Sequence, residues 1–458
     1  VPSELPSSAS ASPSGDSQPG RRGYSRSHYR SASHASAHAA GAAPAPVPEH
    51  PLIPGGSAEL ITDDAALAKL LDALRRTGSF AYDSEFIGEA SYLPKLCLIQ
   101  VATAEHLWLI DPLAGVQLRP FWQLLCDPSV RKIVHAGEQD IEPVVRHLDT
   151  TPANFFDTQI AAGMSGLVYP LSLSKLVLEL TGAKLGKGLT FTHWDQRPLS
   201  PMQMRYAADD VRYLPAVQAA LTERLTALGH AGWLREECDA MCEPSRYKFD
   251  PAAATARVRG AGSLAGPNLA VLRELVSWRN DAAREADLPP RAYLRDEVLI
   301  SLAREPVKSA DRLGRVRGLP RPVENQWSAR IVAITLKALA EAGPSSEPRA
   351  IEPTPRQRFA ADALWAAAQC LAAARQIDPA LVANRQDIAD FYEAAAGPDA
   401  TKPDPTKPDP TKPDRAKLQN LRIMRGWRRA AVGDDLIKLL GGEKQFTLSW
   451  RDGSLADP

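Results

Sequence analysis

The stretch SFAYDSEF (79–86) decides how this chain is read, together with the apolar runs behind it: LCLIQVAT (96–103), HLWLID (106–111) and KIVHAG (132–137). Each is short, apolar and bounded by turn-forming residues, the pattern of a β-strand. Helical periodicity fills 65–76, 120–125, 141–148 and 173–180, and a long helix is expected from 201 to about 228. Strands early, with helices between and after them, predict an α/β domain over residues 57–248. Within the first strand Asp83 and Glu85 lie two residues apart, so both carboxylates are expected on one face of the sheet.

Beyond this domain the composition changes. Residues 1–56 are rich in Ser, Ala, Pro and Gly with little to bury, and read as a disordered tail. The tail has no apolar core of a secretory signal, and its Ser/Arg-rich middle bears only a faint likeness to an organelle transit sequence. Residues 249–266 and 344–355 suit linkers. Helical spacing returns in 267–343 and again in 356–450, and inside the latter the Pro-rich TKPDP repeat makes 397–416 a solvated, disordered insertion.

The chain has 458 residues, enough for several cores, and 44% are hydrophobic. No apolar run approaches a membrane span, so no membrane partner is expected. The 54 basic and 54 acidic side chains cancel. The balance is uneven, however: residues 59–248 carry 18 basic and 24 acidic side chains, whereas 402–429 carry nine basic and three acidic. An acidic first domain is followed by basic helical modules that could meet the phosphates of a polyanion. Removing 265–458 is therefore expected to weaken binding of such a polyanion while sparing whatever chemistry the first domain performs. The five cysteines form neither a zinc pattern nor a disulfide framework, which suits reduced thiols in the cytoplasm.

Three acidic clusters stand out. Asp83 and Glu85 share a strand face. Asp140 follows the KIVHAG strand, where the chain turns into a helix. Tyr206 and Asp210 lie four apart in RYAADDVRYL and stack on one helix face. Asp209 would point about 100° away, so the Y-x-x-x-D spacing selects Asp210. Four carboxylates without a matching set of Lys or Arg are what hard divalent cations require. Two such ions can activate a water and stabilise the leaving oxygen of a phosphodiester displacement.

FAYDSEF with YLPKLCLIQVA, then IVHAGEQDIE, FFDTQIA and HWDQRPLSPMQMRYAADDVRYL, together resemble the ribonuclease D family. That family belongs to the DEDD 3′–5′ exonuclease superfamily and has a tyrosine in its third motif. Residues 268–343 are similar to its HRDC module, and 356–450 look like its second, more divergent HRDC-like module. The resemblance implies a ribonuclease H-like α/β domain followed by two all-α HRDC-type domains. It further implies metal ligation by Asp83, Glu85, Asp140 and Asp210 around two Mg²⁺ or Mn²⁺ ions. Asp83 would bridge the ions, Glu85 and Asp210 would complete one site, and Asp140 would serve the other. Tyr206 would orient the attacking water. The implied activity is that of a monomeric enzyme releasing nucleoside 5′-monophosphates from RNA 3′ ends, such as those of tRNA precursors.

Phe86 and Leu93 could stack on or wedge beside the terminal base, and His135 could approach the substrate; packing is the competing role for each. Asp157 suits a helix cap, and Trp194 and Arg197 could pack or lie near the scissile bond. No nucleotide-binding loop or dinucleotide fingerprint occurs, so no nucleotide cofactor is expected. A DNA exonuclease and a non-catalytic RNA-binding protein are the alternatives.

Overall fold

The computed structural model describes residues 47–88, 91–186, 192–342, 353–396, 415–447, 449–451 and 454–455. Six strands form one mixed sheet: β1 (Glu59–Ile61), β2 (Ser79–Ile87), β3 (Lys95–Ala102), β4 (Leu107–Ile110), β5 (Arg131–Val134) and β6 (Phe155–Asp157). Their order is β1-β4-β3-β2-β5-β6. The antiparallel β2-β3-β4 meander is the centre, and β1, β5 and β6 add in parallel at its two sides.

Period-two alternation sorts the sheet's side chains. Phe80, Tyr82, Ile99, Val101 and Ile110 face α1 (Asp64–Thr77), α2 (Arg119–Leu125) and α3 (Glu138–Leu148), and share their core. Ala81, Ala102 and Leu107 face the opposite layer, which contains α4 (Thr158–Gly163), α5 (Leu173–Thr181), α6 (Pro201–Arg212), α7 (Leu214–Leu228) and α8 (Ala231–Met241). The long helix expected over 201–228 is divided at Tyr213, with Pro215 in the first turn of α7. There its missing N–H breaks no hydrogen bond.

A middle helical module follows: α9 (Pro251–Ala256), α10 (Gly266–Glu285), α11 (Pro290–Tyr293), α12 (Asp296–Arg304) and α13 (Arg321–Glu341). It has its own core around Leu272, Leu275, Leu299 and Ile331. The buried Arg279 guanidinium pairs there with Asp296 at 2.7 Å and donates to the Leu294 carbonyl at 3.0 Å.

A second helical module contains α14 (Pro355–Ala374), α15 (Pro379–Val382), α16 (Arg385–Ala396) and α17 (Arg415–Asn420). It ends in α18 (Gly426–Arg428), which runs through a π-helical turn into α19 (Asp434–Leu440). Its Leu381, Phe391, Trp427 and Leu436 do not form a separate core; they join Met164, Val177 and Leu234 of the first domain. The approach is close enough that a Cβ on Gly163 would meet Leu381 Cδ1 at 2.6 Å, and Asp378 N donates to the Gly163 carbonyl at 2.7 Å. Arg428 makes a two-point pair with Glu237 at 2.6 and 2.7 Å, and the Trp427 indole donates to the same carboxylate at 2.8 Å.

Several expected boundaries differ. Residues 47–56, read as the end of the tail, lie on the first domain: Ile53 is buried, and Arg212 donates to the Pro54 and Gly56 carbonyls. The expected linker 249–266 contains α9, and its Val258, Ala261 and Leu264 are buried in the middle module's core. Few apolar residues suffice when they land in a preformed groove. The expectations for residues 1–46, for 344–352 and for 397–414 of the insertion lie outside the described residues.

Candidate active site

Strand β2 presents Asp83 and Glu85, both half-buried, toward the α6 layer. The antiparallel register sets Gln100 opposite Asp83 and Leu98 opposite Glu85. A register shift falls immediately after Glu85. Such a bulge re-aims the strand at the point where the two carboxylates end.

Helix α6 begins with a capping box: Ser200 Oγ accepts from Gln203 N, and the Gln203 side chain accepts from Ser200 N. One turn further on, the Tyr206 phenol and the Asp210 carboxylate lie within electrostatic reach of each other, and Trp194 lies against the Tyr206 ring at 6.2 Å between centroids. Asp209 turns the other way and accepts from Arg212 Nε at 2.7 Å, with Arg205 at 3.6 Å. The four-residue spacing thus separates two adjacent aspartates into different environments.

Asp140, in the first turn of α3, is nearly fully buried. Ser84 Oγ donates to its carboxylate and Tyr82 Oη donates to its backbone carbonyl at 2.9 Å. The turn that launches α3 is held by Asp157, whose carboxylate accepts from Ala136 N and Gly137 N and also caps α4 through Gln159 N and Ile160 N. A Cβ on Gly137 would lie 2.6 Å from Val134 Cβ, so only glycine fits this turn.

The electrostatics are those of crowded acids. Burial pushes Asp83 up to about 6, against a donated Ser84 backbone hydrogen bond. Burial and then the Asp83 charge push Glu85 up to about 8. Asp140 and Asp210 are held well above the ordinary carboxylate range, first by burial and then by Asp83. Burial and the charges of Asp210, Glu85 and Asp83 raise the Tyr206 phenol. No Lys or Arg offsets these four carboxylates among the described residues. Nor do three His, Cys, Asp or Glu side chains there already close on one point as a ligand cage. This donor set, all hard oxygen and strongly anionic when ionised, fits divalent cations such as Mg²⁺.

The other candidates separate by their partners. His135 has both ring nitrogens engaged, Nδ1 with Thr158 Oγ1 at 2.9 Å and Nε2 with the Leu171 carbonyl at 3.1 Å, and burial lowers its pKa. Both ring nitrogens are thus occupied by the protein's own groups. Arg197 directs all five of its N–H groups inward, to Asp111 (two), Cys97, Trp194 and Gln196, leaving none for a scissile phosphate. Phe86 is half-buried at the bulge and Leu93 is 39% exposed at the β2–β3 turn.

Sequence reasoning overlooked two residues. Ser84 lies between the two acids; strand alternation turns it away from them, and its Oγ reaches the Asp140 carboxylate beside the strand. Gln100 sits inside an apolar run. It is fully buried, and neither atom of its carboxamide has a hydrogen-bond partner.

Comparisons with known proteins identify the modules of the chain. Residues 58–226 match the 3′-5′ exonuclease family and residues 268–335 match the HRDC domain. Ribonuclease D of Gluconacetobacter diazotrophicus is 32% identical over 388 residues, covering 84% of this chain and 93% of that protein. Ribonuclease D of Sphingobium indicum is 33% identical, covering 85% and 96%. The crystal structure of Escherichia coli RNase D, an exoribonuclease involved in structured RNA processing, superposes with a TM-score of 0.68 at 30% identity, covering 85% of this chain and all of that one. This chain therefore belongs to the ribonuclease D family of 3′–5′ exoribonucleases.

Proposed function

We propose that Asp83, Glu85, Asp140 and Asp210 hold two divalent cations, Mg²⁺ or Mn²⁺, and that this site removes nucleoside 5′-monophosphates from RNA 3′ ends. The natural substrates would be structured RNAs such as tRNA precursors. The observation that carries the reading is the set of four buried or half-buried carboxylates, raised in proton affinity and, among the described residues, without a protein cation to offset them. When bound, the cations supply an acidified water and stabilise the charge that develops on the leaving oxygen.

The chain's own groups do the rest. Asp83, whose charge bears on Glu85, Asp140 and Asp210, would be the carboxylate shared between the cations. Glu85 and Asp210 would help to hold one cation and Asp140 the other. Ser84 and Tyr82 fix Asp140 by its side chain and its backbone. Tyr206 stays protonated, because its surroundings raise it above the ordinary phenol value. It therefore orients the attacking water by hydrogen bonding and does not remove its proton. The protein would act as a monomer. Its five free cysteines suit the cytoplasm, and no helix among the described residues is long and apolar enough to cross a membrane.

The test is a 3′-end degradation assay with Mg²⁺ on RNA and DNA strands of the same sequence. Mononucleotide release from RNA is expected, with Asp83→Asn slowed on the order of a thousandfold through lost charge stabilisation. Tyr206→Phe should slow turnover by about a hundredfold or less while retaining cation affinity. Intact RNA, or an unimpaired Asp83→Asn, overturns the reading. Preferential loss of the DNA strand would reassign the substrate.

A further inference from the structure

The β2–β3 hairpin carries Asp83 and Glu85, and its ladder slips register just beyond Glu85. Beyond the slip the ladder continues through two pairs, Phe86–Leu96 and Ile87–Lys95, before the turn. Tyr92, in its turn, meets the HRDC helix α10 and the residues just after it at three points. Its hydroxyl donates to Asn280 Oδ1 at 2.7 Å, its backbone N–H donates to Asp287 Oδ1 at 3.1 Å, and Arg284 donates to the Tyr92 oxygen at 3.4 Å. The Arg284 guanidinium also lies 5.4 Å from the ring centroid, within the range of a cation–π contact.

The HRDC side of this contact is firmly rooted. Asn280 is 5% exposed, and α10 around it buries Val276, Trp278 and Ala283 in the module. A core-anchored helix thus grips the turn of a hairpin whose adjoining strand holds Glu85 two residues before its end, with Asp83 two residues further back. We propose that Asn280, Arg284 and Asp287 are positioning residues for the exonuclease site, acting through Tyr92. The HRDC module then sets where Glu85 stands, in addition to any contact it makes with RNA. This inference rests on the proposed role of Glu85 as a cation ligand.

The test uses the full-length protein with Tyr92→Phe, Asn280→Ala and the double variant. Mn²⁺ affinity is measured calorimetrically without RNA, and kcat and KM are measured on a short RNA oligonucleotide. Each single variant should weaken Mn²⁺ binding and lower kcat by about fivefold, the scale of one hydrogen bond. The double variant should be no worse than the worse single, because both break the same link. Thermal melts confirm that each variant is folded, and Tyr92→Phe retains the ring if Asn280→Ala does not fold. Unchanged Mn²⁺ affinity and kcat, a change in KM alone, or additive losses would overturn the proposal. A wild type that binds no Mn²⁺ or cuts no RNA would instead overturn the reading of the site on which the proposal rests.

Discussion

The two helical modules behind the exonuclease domain are built from similar lengths of amphipathic helix, yet they are attached by opposite means. The HRDC module closes its own core around Leu272 and Leu299 and reaches the catalytic domain through polar groups converging on Tyr92. Among the described residues the second module closes no core of its own. Trp427, Phe391 and Leu381 complete the catalytic domain's own interior, with Arg428 locked onto Glu237. One module is an accessory held by a latch; the other is a missing wall of the nuclease. Removing 265–458, which the sequence suggested would spare the chemistry, would strip this wall and expose the interior behind it.

Substitution of core residues should give the largest effect and the sharpest separation. Trp427→Ala removes an indole that is 1% exposed and lies 6.1 Å from the Trp233 ring. It should cost about 3–5 kcal/mol and lower the urea midpoint of the nuclease itself, with activity lost in parallel. Leu275→Ala in the HRDC core should cost about 2–5 kcal/mol in a transition that leaves the nuclease folded. If both substitutions shift one common transition, the contrast between the modules is broken.

A pH and cation experiment probes the same division more gently. Asp83 and Glu85 reach about 6 and about 8 in the fold, against roughly 4 in an unfolded chain. Between about pH 4 and 8 the folded protein retains protons that the unfolded chain has released, so its stability without cations falls as pH rises through this window. Mn²⁺ should restore it, raising the melting temperature more at pH 8 than at pH 5. The nuclease transition should respond and the HRDC transition should not. An equal Mn²⁺ effect at both pH values would contradict the assigned electrostatics.

The smallest expected effect concerns Gln100, whose buried carboxamide lacks partners. Gln100→Leu should stabilise the nuclease transition by about 1 kcal/mol in urea unfolding, because an unsatisfied polar group leaves the interior. Destabilisation would mean that the amide contributes more than packing.

Where the sequence was informative, a physical period carried the information. Alternation in 79–86 paired Asp83 with Glu85, and helical spacing distinguished Asp210 from Asp209, which the structure gives to Arg212. Strands β1 and β6 are three residues each, too short to display any period. The shared core was hidden because an amphipathic pattern declares that a helix has an apolar face, not what covers it. For Arg197 and His135 the sequence left packing and substrate contact open, because a side chain's role depends on how many of its polar atoms are already occupied. That information is long-range: Arg197 meets Asp111 and Cys97, and His135 meets Leu171.

Asp157 brings a different consequence. One carboxylate from β6 accepts hydrogen bonds from the backbone of two separate turns, those opening α3 and α4. It therefore acts as an indexing pin: lengthening or shortening it by a single methylene would shift the helix that carries Asp140. In a saturation screen for RNA decay, Asp157 would tolerate as few replacements as the ligands themselves, although its own oxygens are fully engaged in architecture. Intolerance to substitution in this fold measures leverage over the site as much as membership of it.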